Sequence, residues 1–359
     1  MIKMGARHNL IYPGMLILFV GLRRIVEILI ENEFKSVGSL SLNILISISK
    51  FIAGLISMRN LAFIFMSNLE ISSFDRIPKI IVLIFFASYF DIIGTFVRKY
   101  FNMKDKENKS LDERLKGFQI ISSALLCYFT IKTKMYKQNI FSLVIISICL
   151  IIIIIIEMFY SSKGILSNTK DILLILFSSF MRANLDTIEK YLFEINYMNP
   201  FKVMMFEGLI NIIFISVIII FDESAFNEIK QIYEQFEKLN IYFIILLFIY
   251  LILSGLKNIY RVATIKFYSP MTRALAEIFL DPFICLYTLY RDNKQYDSNF
   301  WVFYGSNIFC LIIMTFCSCV YNDLIVLYCC GLEYDTYSEV TKRALTIDID
   351  ADYGKESIN

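Results

Sequence analysis

Runs of about 20 apolar residues, each enough to cross a hydrocarbon core roughly 30 Å thick, recur roughly every 30 to 35 residues along this chain. Inside lipid no water satisfies backbone N–H and C=O groups, so every such run must bond to itself as a helix. The requirement overrides local preference. Six consecutive isoleucines at 151–156 are mediocre helix formers in water, yet they sit in the middle of such a run. The polar stretches between runs, such as Met103–Arg114 and Asp222–Lys238, are short. None could build a separate soluble core, which leaves soluble catalytic machinery without a place to sit. Composition agrees, with 57% hydrophobic and 19% charged residues against about half and a quarter in soluble domains.

The predicted fold is all-α and membrane-embedded, with ten spans near 11–31, 38–57, 77–100, 111–131, 139–160, 171–194, 201–221, 241–264, 271–290 and 301–325. The second is the least sharply bounded, because apolar residues continue past Arg59 to Met66. Lys3 and Arg7 before the first run imitate a signal peptide, but no small-residue cleavage site follows, so the first span is expected to be retained. An even number of spans puts both termini on one side. Arg59, Arg76, Lys132, Lys134, Lys137, Lys202 and Lys266 favour a cytosolic placement, while Arg98, Lys99, Lys104, Lys106, Lys109 and Arg114 oppose it.

The halves also look related. Ser110 and Arg114 open the fourth span as Ser269 and Arg273 open the ninth. Leu126-Cys127-Tyr128 returns loosely as Cys285-Leu286-Tyr287, and Cys149-Leu150-Ile151 as Cys310-Leu311-Ile312. Each offset is close to 160 residues, which predicts five-helix repeats over 1–160 and 161–325 with a tail at 326–359. An odd number of spans per repeat forces opposite insertion of the halves, a plan recurrent in secondary transporters.

Several function classes drop out. The net charge of +2 comes without a basic run, so no nucleic-acid partner is expected. The eight cysteines lie in or beside apolar runs and read as small apolar residues, with Cys329-Cys330 a candidate palmitoylation pair. His8 is the only histidine, which removes multi-histidine zinc sites and histidine triads. No metal or other cofactor is expected, and the chain does not read as an enzyme.

Phe90-Asp91-Ile92-Ile93-Gly94-Thr95, Arg114-Leu115-Lys116-Gly117 with Leu125, Lys132 and Met135-Tyr136, Ile188-Glu189-Lys190-Tyr191 with Asn199-Pro200 and Glu207-Gly208-Leu209, and Ser269-Pro270-Met271-Thr272-Arg273 occur in this order. Together they resemble the drug/metabolite transporter superfamily, most closely the solute carrier family 35 F-type, nucleotide-sugar-transporter-like branch. The likeness covers roughly 77–325; the stretches Lys104–Lys109 and Asp222–Glu237 depart from it. The resemblance implies ten spans, cytosolic termini and alternating access, with a nucleotide sugar the most specific substrate it permits.

An ionised side chain at the bilayer centre costs at least about 2.5–3.5 kcal/mol, so each one needs a partner or a wet cavity. Asp91 lies mid-span with no basic residue one turn away; it is read either as a cavity-lining acceptor or proton site, or as a helix–helix hydrogen-bonding group. Arg23 can pair with Glu27 four residues on, which leaves Arg24 as a substrate candidate. Lys116 and Arg273 stand at matching places in the halves and could receive a phosphate or carboxylate, or else snorkel to the interface. Arg261, four residues from Lys257, belongs to a positive field that local charges do not fully cancel and is a second candidate contact for an anion, and Tyr128 and Tyr260 are candidate cavity stackers. Glu189, Lys190, Glu207 and Glu277 read as structural or gating partners.

The expectation is a secondary transporter for a small polar or anionic metabolite, with its cavity lined by spans 1, 3, 4, 6, 8 and 9. Its partners would be that small molecule and membrane lipids, and a homodimer is compatible with the plan. Tyr337-Ser338-Glu339-Val340 fits a sorting pattern and favours an endomembrane (Golgi, endosomal or lysosomal/vacuolar) over the plasma membrane. The rival is a non-transporting scaffold or receptor that retains the fold.

Overall fold

The computed structural model describes residues 11–33, 39–65, 77–102, 111–160 apart from 113, 165–221, parts of 226–237, 241–283 apart from 281, 298–322, 325 and 327. Cys329-Cys330, the 337–340 pattern, the tail from 328, His8, Asp281 and Lys104–Lys109 lie outside the described residues.

Among the described residues, ten helices of nine or more residues carry the fold: α1 (Ile11–Glu33), α2 (Ser39–Phe65), α3 (Ile77–Asn102), α4 (Gly117–Thr130), α5 (Lys137–Tyr160), α6 (Ile165–Glu194), α7 (Pro200–Phe221), α8 (Ile241–Phe267), α9 (Pro270–Ile278) and α10 (Ser298–Tyr321). Each falls on one of the ten apolar segments. By length and composition, four stretches are apolar enough to cross a membrane: Pro78–Val97, Lys137–Phe159, Pro200–Phe221 and Ile241–Phe267. This is consistent with an integral membrane protein. Leu42–Ser57, Gly117–Thr130 and Gly305–Tyr321 are shorter apolar helices. Large apolar side chains cover the outside of the bundle, among them Ile81, Phe85, Ile151, Leu173, Ile213, Phe248 and Phe309, as expected of a surface that meets acyl chains.

Two boundaries differ from expectation. Helix α2 runs continuously past 57 and Arg59 to Phe65, because no proline or glycine pair interrupts 39–65. Helix α9 stops at Ile278, and after a turn at 279–280 helical backbone returns at Pro282 and Phe283, so the ninth span is interrupted inside its expected range. Pro282 has no N–H to return to the Ile278 carbonyl and disfavours helical backbone at the residue before it, which accounts for the stop. Helices α4 and α6 end in tight reversals where Lys132 and Tyr197 take positive φ (57° and 52°). In each, an amide reaches back six residues, Thr133 to the Cys127 carbonyl and Met198 to that of Leu192.

Packing follows a simple rule. The pairs α2·α7, α5·α10 and α4·α9 are in contact. So are α3·α6 with α1·α8, α2·α8 with α3·α7, and α4·α6 with α1·α9. Replacing each helix by the one five places along turns the first three pairs into themselves and exchanges the members of the others.

The crossing of α2 and α7 displays this in atoms. A methyl on Gly54 would stand 2.9 Å from the backbone of Met205, and one on Gly208 would stand 2.6 Å from the Phe51 backbone nitrogen. Each glycine thus admits the backbone of the residue three before the other glycine, the close approach that small residues allow between membrane helices. In the α5·α10 contact, Ile146, Cys149, Leu150 and Ile153 pack with Cys310, Leu311, Met314 and Cys317. Cys149 and Cys310, equated by the sequence offset, lie in this one cluster.

Gly54→Ala and Gly208→Ala are expected to destabilise the protein by about 1–3 kcal/mol each through overpacking. Gly14→Ala and Gly305→Ala, where nothing lies within 4 Å of the added carbon, serve as controls. Denaturation in bicelles checks this; equal stabilities across the four variants would refute the close crossing.

Candidate functional site

Local sequence signals place the charged side chains. Ser269 caps α9, its Oγ accepting the Thr272 N–H at 3.1 Å, and Pro270 at the first helical position presets φ. That start sets Arg273 one turn into the bundle. Asn199 opens α7 in the same style, its Oδ1 accepting the Phe201 N–H at 2.9 Å, and Glu207 follows two turns on. Lys190 fixes the far end of α8 by donating to the carbonyls of Lys266 at 3.1 Å and Tyr268 at 2.8 Å.

The result is one buried layer of ion pairs drawn from α4, α6, α7, α8 and α9. Arg261 is its hub. Its guanidinium meets Glu189 in close contact, Asp186 at 3.6 Å and Glu207 at 3.5 Å. Asp186 also receives Arg273 at 2.7 Å and the Gln119 amide at 2.9 Å. Arg273 reaches on to Glu277 at 3.0 Å, and Lys257 binds the same carboxylate oxygen at 3.0 Å. A second knot lies beside it, where Asp91 Oδ2 accepts Lys50 Nζ at 2.5 Å and Asn211 Nδ2 at 2.7 Å. The charges of Lys50 and Asp91 act on Glu207, so the two knots are electrostatically one.

The layer is nearly sealed from the outside of the protein. Asp186, Glu189 and Glu207 have no side-chain exposure, and only Asp91 among the acids keeps a wet edge, at 22%. Several atoms inside it lack a hydrogen bond: Asp186 Oδ1, Glu189 Oε2, Glu207 Oε1, Asn211 Oδ1, Arg261 Nε and Arg273 Nε. Unpaired polar atoms are costly when buried, and they also occur outside this layer, as at Ser88 and Gln138.

Most sequence candidates converge on this layer. Arg261, Arg273, Glu189, Glu207 and Glu277 are in it, and Asp91 faces the bundle beside it. The charge balance is corrected, however. Lys257 and Arg261 were expected to leave an uncancelled positive field; Glu277 answers the first, and Glu189, Glu207 and Asp186 answer the second, all from other helices. Arg24 was expected to lack a local partner, but its guanidinium shares Glu27 with Arg23, at 3.4 Å and 3.6 Å. Lys116 is the residue preceding α4, half-buried at its start, and it acts on Glu277 electrostatically. Lys190 serves the α8 terminus and pairs with Glu194 at 2.8 Å. Tyr128 is 48% exposed and edge-on to Phe129, so it does not line the interior; outward position on α4 is the reason. Tyr260 stacks on Phe19.

Asp186, Lys50, Gln119 and Asn211 did not emerge from the sequence. Lys50 carried a usable signal, since it is the only charge between 39 and 58. Asp186 was camouflaged, lying four residues from both Arg182 and Lys190 and so resembling an ordinary helix-surface pair. Arg114, the counterpart of Arg273, is buried too and pairs with Glu157 at 2.7 Å. The chain matches no protein-family model and no curated protein sequence.

Arg261→Ala is expected to destabilise the fold by about 3–5 kcal/mol, because three acids lose their shared cation. Glu194→Ala, at a side chain 45% exposed, should stay within about 1 kcal/mol. A cycle with Lys50→Gln and Asp91→Asn should show a coupling on the order of 1–3 kcal/mol, the double variant being less damaged than the sum of the singles. Chemical denaturation measures all of these, and additive losses for Lys50 and Asp91 would contradict the pairing.

Proposed function

We propose that this chain is a secondary transporter that moves a small polar or anionic metabolite by alternating access between two inverted five-helix halves. Ten spans, repeats at 1–160 and 161–325, and an endomembrane address belong to the same reading. The observation that carries it is the buried ion-pair layer joining both halves. Lys50, Asp91 and Gln119 come from the first, and Asp186, Glu189, Glu207, Arg261, Arg273 and Glu277 from the second. The exchangeable packing of α1–α5 and α6–α10, with reciprocal glycines at one crossing and Cys149 and Cys310 in one cluster at another, supports the inverted repeat. The sequence resemblance to the drug/metabolite transporter superfamily adds the class of cargo.

Arg261 and Arg273 would supply the donors for an anionic group of the substrate, a role matched to their planar, permanently charged guanidinium groups. In the arrangement seen, the protein's own carboxylates hold those donors. A substrate phosphate or carboxylate would then bind by displacing Asp186 or Glu189, so recognition is an exchange of one anion for another and not the filling of a vacant positive site. Desolvation is thereby shared between bound and unbound forms.

One observation favours the scaffold reading instead: the cations of the layer are all met by the protein's own carboxylates, as a non-transporting bundle would require. Reconstituted vesicles and a panel of nucleotide sugars and other anionic metabolites separate the two. Transport predicts uptake of a panel member, reduced on the order of 10–100-fold by Arg273→Gln at normal protein level, the loss expected of one charge-assisted hydrogen bond. Absence of uptake across the panel, with Arg273→Gln altering only stability, would replace the transporter by the scaffold.

A further inference from the structure

We propose that Glu207 is a reversible proton-binding site, and that its proton is the ion coupled to turnover; the second clause rests on the transporter reading, the first does not. Three carboxylates from α6 and α7 converge on the single Arg261 guanidinium, and they are not equally served. Asp186 holds two hydrogen bonds, from Arg273 and Gln119, besides its contact with Arg261. Glu189 takes the close contact with the Arg261 NH2 group. Glu207 shares that same NH2 group at 3.5 Å, the outer limit of a hydrogen bond, and its Oε1 has no donor among the described residues.

Every helix packed on α7 presents a charge to this carboxylate. Helix α2 brings Lys50, already engaged with Asp91 at 2.5 Å, and α3 brings Asp91 itself. Helix α6 brings Glu189, and α8 brings Arg261. On α7, Asn211 directs its amide to Asp91. Two of these groups are anions, and both cations have closer partners. A fully buried carboxylate so placed is relieved most simply by a proton.

The step balances without a co-reactant. A proton enters from the aqueous phase and binds a Glu207 oxygen; the carboxylate becomes a neutral acid, and Arg261 keeps its charge with Glu189 and Asp186. The bond lost is the one tying α7 to α8, while the tie between α6 and α8 through Glu189 survives. Uptake of the proton thus frees α7, the helix at the glycine crossing, from the second-half charge layer, and release restores it.

Infrared spectroscopy of the full-length protein in nanodiscs tests this. Lowering the pH should bring up a C=O stretch of a buried, slowly deuterium-exchanging carboxylic acid. Glu207→Gln should abolish that band and Glu207→Asp should displace it. No such band in the wild type, or an unchanged band in Glu207→Gln, overturns the site; if the glutamine variant does not fold, an undisplaced band in Glu207→Asp does so. In vesicles, substrate uptake unmoved by an imposed pH gradient overturns the coupling. A titrating Glu207 band without uptake of any panel member supports the site and sinks the transporter reading alone.

Discussion

An ionised side chain at the depth of the acyl chains must find its counter-charge within the protein, and the whole arrangement answers to that demand. Lys50, Arg261 and Arg273 are buried in the bundle, so each must be met by an acid on a neighbour. Meeting them fixes which faces of α2, α3, α6, α7, α8 and α9 turn inward and in what register. Such pairs add little net stability, since apolar side chains of equal volume would pack as well or better. What they impose is uniqueness: only one rotation of each helix brings Asp186 between Arg261 and Arg273.

The apolar remainder of the bundle is then free to optimise contact. Between helices in lipid there is little hydrophobic drive, so van der Waals packing and close backbone approach must hold the bundle. Gly54 and Gly208 provide the closest approach, and the α5·α10 interface fills with interdigitated isoleucine, leucine, methionine and cysteine. Charge sets orientation, while small residues set distance. The two act on the same helix at α7, where Glu207 and Gly208 are adjacent in sequence.

Helix positions were legible because an apolar run in lipid has one backbone solution, and runs such as 137–160 and 241–267 are unbroken. The short α9 was legible in principle from Pro282. Burial of Arg261, Arg273, Glu189 and Glu207 could be argued from cost alone. Their partners could not. Pairing across helices depends on rotation and tilt, which local spacing does not encode, so Arg261 was assigned an uncancelled field that three distant acids in fact cancel. Asp186 escaped for the converse reason: its i,i+4 neighbours offered a sufficient local explanation. Where two charges lie one turn apart, sequence favours the local pair, and tertiary structure is free to break it.

The exchange rule among helix contacts has a consequence for motion. If the two halves trade conformations during turnover, a contact that maps onto itself is present on both sides of the cycle. The α2·α7 and α5·α10 contacts are of this kind, which would make the Gly54–Gly208 crossing and the cluster around Cys149 and Cys310 fixed points about which the rest pivots. The contacts α6·α8 and α6·α9 have no comparably packed counterparts, α1·α3 and α1·α4, among the described residues. On that reading the other state of the cycle would have α6 withdrawn from α8 and α9 and α1 packed against α3 and α4, so the asymmetry of one state would be a drawing of the other.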